Sequence, residues 1–176
     1  AAVVAALEHF QEDGAVRRCG CEGVANLAAR STGNQTALGD GGACPAVVSL
    51  MRAMPHDEAV QHYACIAVAY LAKGHAANQT RLLDCGAGLG VKSALRIRTA
   101  DILHWACYAT YFLAKDHPQN HNRLLEMGIR RSIEASREAL GGGGGGEDGE
   151  DGEDDADAKT KQEALKWAQK ALVAVA

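Results

Sequence analysis

Residues 63–86 read "YACIAVAYLAKGHAANQTRLLDCG", and residues 105–128 read "WACYATYFLAKDHPQNHNRLLEMG". They are two versions of one pattern, and a third lies upstream. Leu27-Ala28 aligns with Leu71-Ala72 and with Leu113-Ala114, at offsets of 44 and 42 residues. The strings "NQTALGDGG", "NQTRLLDCG" and "NHNRLLEMG" begin at Asn34, Asn78 and Asn120 with the same offsets. "AVVAA" from Ala2 matches "AVVSL" from Ala46, again 44 apart. A period of 42–44 residues in an all-helical pattern predicts stacked helical repeats.

The pattern inside one unit supports helices throughout. Units open after Gly42, Gly86 and Gly128, where glycine can end one helix and turn the chain sharply. "PAVVSLMRAM" places Pro45 in a first turn and keeps apolar residues at helical spacing. "PHD" at 55–57 breaks that helix, and Asp57 can cap the next. A long helix then runs to Gly74, and a short one, "NQTRLLDC", closes the unit. Long helices are expected over roughly 58–73, 101–115 and 161–175.

A fourth unit emerges once an insert is set aside. "GIRRSIEASREAL" at 128–140 reads as the second helix of a unit. If Leu172 matches Leu113 the offset is 59, which exceeds the 42-residue period by 17. That excess is close to the length of the Gly/Asp/Glu stretch. We therefore expect a flexible acidic insert at 141–158, too poor in apolar groups to order itself. The expected units are 1–41 (truncated at its start), 42–85, 86–127 and 128–176 with the insert. "AAVVAALEHF" and "ALVAVA" read as helices cut mid-way, so further repeats of a parent chain are expected at both ends.

Composition narrows the classes. Net charge is −4, which does not suggest a nucleic-acid binder. Eight of the acidic residues lie at 147–157, so the remainder of the chain sums to +4. No apolar run reaches the ~18–20 residues of a membrane span, and no secretory signal opens the chain. An intracellular setting, cytoplasmic or nuclear, is expected.

Six cysteines do not make a zinc knuckle, because Cys19-Gly20-Cys21 is too short and no second pair follows. Cys21, Cys65 and Cys107 share one repeat position and read as core packing. His62 and His104 correspond, as do His75 and His117, and read as helix-end or solvent-facing residues. No P-loop, G-x-S-x-G, H-E-x-x-H or Rossmann signature occurs. "GAGLG" at 86–90 has no preceding strand and reads as repeat-turn glycine. No catalytic residue, metal ligand or cofactor is expected, and the chain reads as a non-enzyme.

"GACPAVVSLMRAM", "HYACIAVAYLAK" and "NQTRLLDCG" with their copies resemble the armadillo repeat across essentially the whole chain. HEAT repeats are the nearby alternative. The resemblance implies an all-α, right-handed α-solenoid of about four repeats, with a short, a longer and a long helix per unit. It also implies a concave face lined by the long third helices, where a peptide or partner helix binds. Three rows can be tracked along those helices. They are Cys19, Tyr63, Trp105 and Ala164; Glu22, Ile66, Tyr108 and Trp167; and Asn26, Tyr70, Phe112 and Ala171. Six of the eight aromatics lie in these rows, Phe10 and Tyr111 being the others.

The candidate partner-binding residues are Glu22, Asn26, Tyr63, Ile66, Tyr70, Trp105, Tyr108, Phe112 and Trp167. Such rings either form a partly exposed groove or simply seal adjacent repeats. The second possibility matches a structural spacer with no ligand of its own. Importin-α-like members carry Trp followed four residues later by Asn on successive third helices. Here Glu22 precedes Asn26, Ala171 follows Trp167, and Tyr70 and Phe112 fill the other asparagine positions. The resemblance is therefore to the generic class. The acidic insert is either a solvated loop or a tether for a basic surface.

Overall fold

A computed structural model describes residues 2–9, 14–141 and 155–176. Among these the chain forms eleven helices and no strand: α1 (Ala2–His9), α2 (Gly14–Ala28), α3 (Thr32–Asp40), α4 (Ala43–Ala53), α5 (Glu58–Ala72), α6 (Ala76–Cys85), α7 (Ala87–Ala94), α8 (Ala100–Ala114), α9 (Pro118–Glu126), α10 (Ile129–Gly141) and α11 (Asp155–Ala174).

The long helices α2, α5, α8 and α11 stack in that order, each packed on the next. Their contact stripes are built from small residues. Ala64, Ala67, Val68 and Ala72 on α5 are fully buried, as are Ala106, Cys107 and Ala109 on α8. Small side chains let neighbouring backbones approach closely, and the summed dispersion contacts replace what large side chains would supply. Helices α1, α4, α7 and α10 form a second strip behind them, and α3, α6 and α9 a third strip at one end.

Local chemistry sets the helix ends. Asp57 accepts a hydrogen bond from the Val60 amide at 2.9 Å and starts α5. Thr99 does the same for Ile102 at α8. Gly42, Gly86 and Gly128 adopt φ of +85°, +96° and +69° at the opening turns of successive second-strip helices. An L-residue rarely occupies that region, so glycine is required there.

The junctions between units repeat the same bonds. Gln35 Nε2 donates to the carbonyls of Tyr70 and Lys73 at 2.6 and 3.0 Å. Gln79 Nε2 donates to those of Phe112 and Lys115 at 2.6 and 2.9 Å. At the next junction His121 Nδ1 bonds the Ala174 carbonyl at 3.0 Å. Each side chain reaches across one junction and satisfies carbonyls that a helix C-terminus leaves free. Arg81–Asp40 at 2.6 Å and Arg123–Asp84 at 2.7 Å recur in the same way, exposed and each contributing about 0–1 kcal/mol.

Four helix bounds differ from expectation in an informative way. The short helices start at residues 76 and 118, two before the aligned asparagines. His75 and His117 accept the amides of Asn78 and Asn120 at 3.3 and 3.4 Å, so histidine is the N-cap. The last long helix starts at Asp155, and Gly141 closes α10, so both edges of the expected 141–158 insert are helical. An acidic sequence suits a helix N-terminus, which favours the early start. Residues 142–154, like Phe10, lie outside the described residues.

Candidate binding face

The long helices present their aromatics on one face. Tyr63 and Tyr70 come from α5, Trp105, Tyr108 and Phe112 from α8, and Trp167 from α11. Spacings of three, four and seven residues keep these rings on one side of each helix. Stacking the helices then sets rings from different units side by side.

The result is a continuous cluster. Ring centroids lie 6.1 Å apart for Tyr70–Trp105 and for Tyr70–Tyr108. They lie 5.5 Å apart for Trp105–Tyr108, 4.8 Å for Tyr108–Phe112 and 4.4 Å for Tyr108–Trp167. Most pairs are edge-to-face, the arrangement that the ring quadrupoles favour. Tyr108 is the hub, with ring contacts to Tyr70 of α5, to Trp105 and Phe112 of α8 and to Trp167 of α11. Tyr63 joins through His62, which lies 5.1 Å from it and 6.3 Å from Trp105.

Exposure sorts the expected residues. Tyr63, Ile66, Tyr70, Trp105, Tyr108 and Trp167 are half-buried, so each offers a free surface and a packed one. Phe112 is only 8 % exposed, and Ala164 and Ala171 are fully buried. Phe112 therefore forms the floor. Glu22 and Asn26 on α2 are exposed, and no ring contact joins them to the cluster. The aromatic face is built by α5, α8 and α11, with α2 extending it as a polar flank.

Several members were not expected from sequence. Tyr111 packs edge-on to Phe112 at 5.0 Å and to Trp167 at 5.7 Å. It lies outside the three rows and joins the cluster through Phe112 of its own helix and Trp167 of α11. His62 and His104 join the rings, His104 lying 4.9 Å from Trp105 and 6.3 Å from Trp167. Burial pulls the His104 imidazole below its ordinary range, against the opposing pull of Glu163 and Asp101. Burial likewise pushes the Tyr108 phenol upward.

Lysines finish the edge at the C-terminal ends of the long helices. Lys73 Nζ stands 5.9 Å from the Tyr70 ring and 5.6 Å from that of Phe112. Lys115 Nζ is 5.6 Å from Tyr111, and Lys170 Nζ is 4.2 Å from Trp167. Lys73 and Lys115 stand 42 residues apart at one repeat position, but the seat of Lys73 over Phe112 of the next long helix is not visible in sequence.

Other chemistry is sparse. Among the described residues no group of three or more His, Cys, Asp or Glu is placed to hold a metal ion. The six cysteines are unpaired, and burial raises the thiols of Cys21 and Cys65 to about 12 and that of Cys44 to about 11. Such thiols are poor nucleophiles at neutral pH. No described helix is long and apolar enough to cross a membrane.

No family model matches the sequence, and no curated protein matches it. Solved structures do. A designed armadillo repeat protein, YIII(Dq)4CqI, superposes with a TM-score of 0.75 at 21 % identity, over 99 % of this chain. The chain spans 63 % of that protein's length. A second designed armadillo repeat protein, YIII(Dq.V1)4CPAF in complex with the peptide (KR)4, superposes with a TM-score of 0.68 at 19 % identity. That match covers 99 % of this chain and 80 % of the other. With the stacked long helices and recurring junction bonds, these likenesses establish the fold: an all-α solenoid of armadillo type.

Proposed function

We propose that the chain is a non-enzymatic protein-interaction scaffold of four units, bounded at 1–41, 42–85, 86–127 and 128–176, that takes an extended peptide or partner helix across its long-helix face. One observation carries this reading. Tyr63, Tyr70, Trp105, Tyr108 and Trp167 form a set of half-buried rings drawn from three successive long helices, Tyr63 joining through His62. Aromatics supply large contact area at small entropic cost and dominate binding hot spots. The solved neighbour in complex with a peptide supports the same use of the fold. The spacer reading draws on the burial of Phe112, a ring of the set that packs into the stack.

Truncation separates the two. Peptides selected from a random display library against the intact chain provide the probe. Tyr108→Ala is expected to cost such a peptide about 1–3 kcal/mol of binding, as a hot-spot residue does. Its melting temperature should change less than that of Phe112→Ala, which removes a buried ring worth about 3–5 kcal/mol of stability. If Tyr108→Ala binds selected peptides as the parent does, the groove reading fails.

A further inference from the structure

Each junction between long helices carries a cleft at the same repeat position, at the C-terminal end of those helices. The first, of about 200 Å³, is walled by Arg30, Tyr70 and Lys73. The second, of about 470 Å³, is walled by Lys73, Phe112 and Lys115. The third, of about 780 Å³, is walled by Tyr111 and Lys115. Gln35, Gln79 and His121 line the three clefts in turn.

The sign of this edge follows from what is already occupied. A helix C-terminus is electronegative and would attract cations. Here Gln35, Gln79 and His121 already bond its terminal carbonyls. The electron-rich ring faces are also taken, by Lys73 over Tyr70 and Phe112 and by Lys115 over Tyr111. An incoming cation would have to displace these ammonium groups. Among the described residues the ion pairs involve Arg81, Arg123, Arg130 and Lys166, not Arg30, Lys73 or Lys115. Asp116 lines the second and third clefts and is the single carboxylate in their walls. Three cations against one carboxylate leave the edge positive.

We propose that the partner is an extended acidic peptide, laid over the aromatic face with carboxylates paired to Lys73 and Lys115 in successive clefts. This rests on the peptide-binding reading and gives its ligand class. It sets this face apart from the neighbour that holds (KR)4, a basic peptide. Rim charges of this kind choose the partner and its register more than they add affinity.

Labelled octapeptides (Glu-Leu)4, (Gln-Leu)4 and (Lys-Leu)4 test the proposal by fluorescence anisotropy on the intact chain. (Glu-Leu)4 should bind tightest and weaken as NaCl rises from about 50 mM to about 500 mM. The double variant Lys73→Gln/Lys115→Gln should lose about three- to tenfold in affinity for (Glu-Leu)4, the range of two exposed pairs, and distinctly less for (Gln-Leu)4. Both lysines are exposed and only their seats over Tyr70, Phe112 and Tyr111 are lost, so the variant should stay folded and melt slightly below the parent. Equal or tighter binding of (Lys-Leu)4, or unchanged (Glu-Leu)4 binding by the double variant, overturns the acidic-ligand proposal. In that case binding of (Gln-Leu)4 that is lost in Tyr108→Ala would leave the groove reading standing. Binding of none of the three peptides overturns both.

Discussion

At the scale of single residues, the junctions are closed by atoms with no room to spare. A methyl group built on Gly39 would overlap Asn78 Oδ1 and come within 2.8 Å of Arg81 Nη1. Asn78 is the tie at that junction. Its amide nitrogen donates to the Gln35 carbonyl of the preceding unit at 2.9 Å and to the Leu71 carbonyl of its own long helix at 3.2 Å. Helix propensity alone favours Gly39→Ala by about 1 kcal/mol. Overpacking against a fixed, buried polar group costs about 1–3 kcal/mol and displaces those bonds. The net expectation is a loss of up to about 2 kcal/mol, read as a lower denaturation midpoint in urea. A gain near the propensity value would mean that the junction yields at no cost. Sequence marks Gly39 only as part of "NQTALGDGG", while the aligned position holds Leu83 and then Leu125. Why this copy must be small depends on a neighbour 39 residues away.

At the scale of elements, the recurring glutamine is the joint between helices. Gln79 is 4 % exposed, and its amide nitrogen serves two carbonyls at the end of α8. Gln79→Ala would leave both without this donor, one of them in a buried setting. That should cost about 1–3 kcal/mol in a denaturant melt. Gln79→His should recover part of the loss, because His121 bonds the end of α11 from the equivalent place. Equal losses in the two variants would show that packing, not the hydrogen bonds, holds the joint. The long helices themselves were legible. Expected spans of 58–73 and 101–115 became Glu58–Ala72 and Ala100–Ala114, because Asp57 and Thr99 cap visibly and small residues keep the period. The adjacency of the aromatic rows followed from the same register. The joints were not legible, since a glutamine reaching over 33 to 38 residues leaves no local pattern. Nor was the floor role of Phe112, because its burial is set by Tyr108, Tyr111 and Lys73 closing round it, and Lys73 comes from the preceding long helix.

At the scale of the whole molecule, one repeat position links three units into a shared response to pH. Cys21, Cys65 and Cys107 are fully buried on α2, α5 and α8, near enough that Cys21 acts on Cys65 and Cys65 on Cys107. On α11 the place passes to Lys166, which is exposed and paired with Glu163 at 3.2 Å, so the apolar ladder stops there. Burial raises each thiol above its ordinary value of 9.0, to about 12 for Cys21 and Cys65. In the unfolded chain the same thiols ionise near pH 9 and so hold fewer protons than the folded ones above that pH. Stability must then fall as pH rises, with the contribution intact below about pH 9 and lost towards pH 12. Between pH 9 and 10 the expected loss is roughly 1 kcal/mol per thiol. Three thiols acting in one cooperative stack should lower the melting temperature by several degrees. A Cys21→Ala/Cys65→Ala/Cys107→Ala variant starts from lower stability because of the small cavities, yet its melting temperature should vary less over that interval. If parent and variant fall in parallel from pH 8 to 10, the alkaline sensitivity belongs to other groups, and the thiol ladder is only packing.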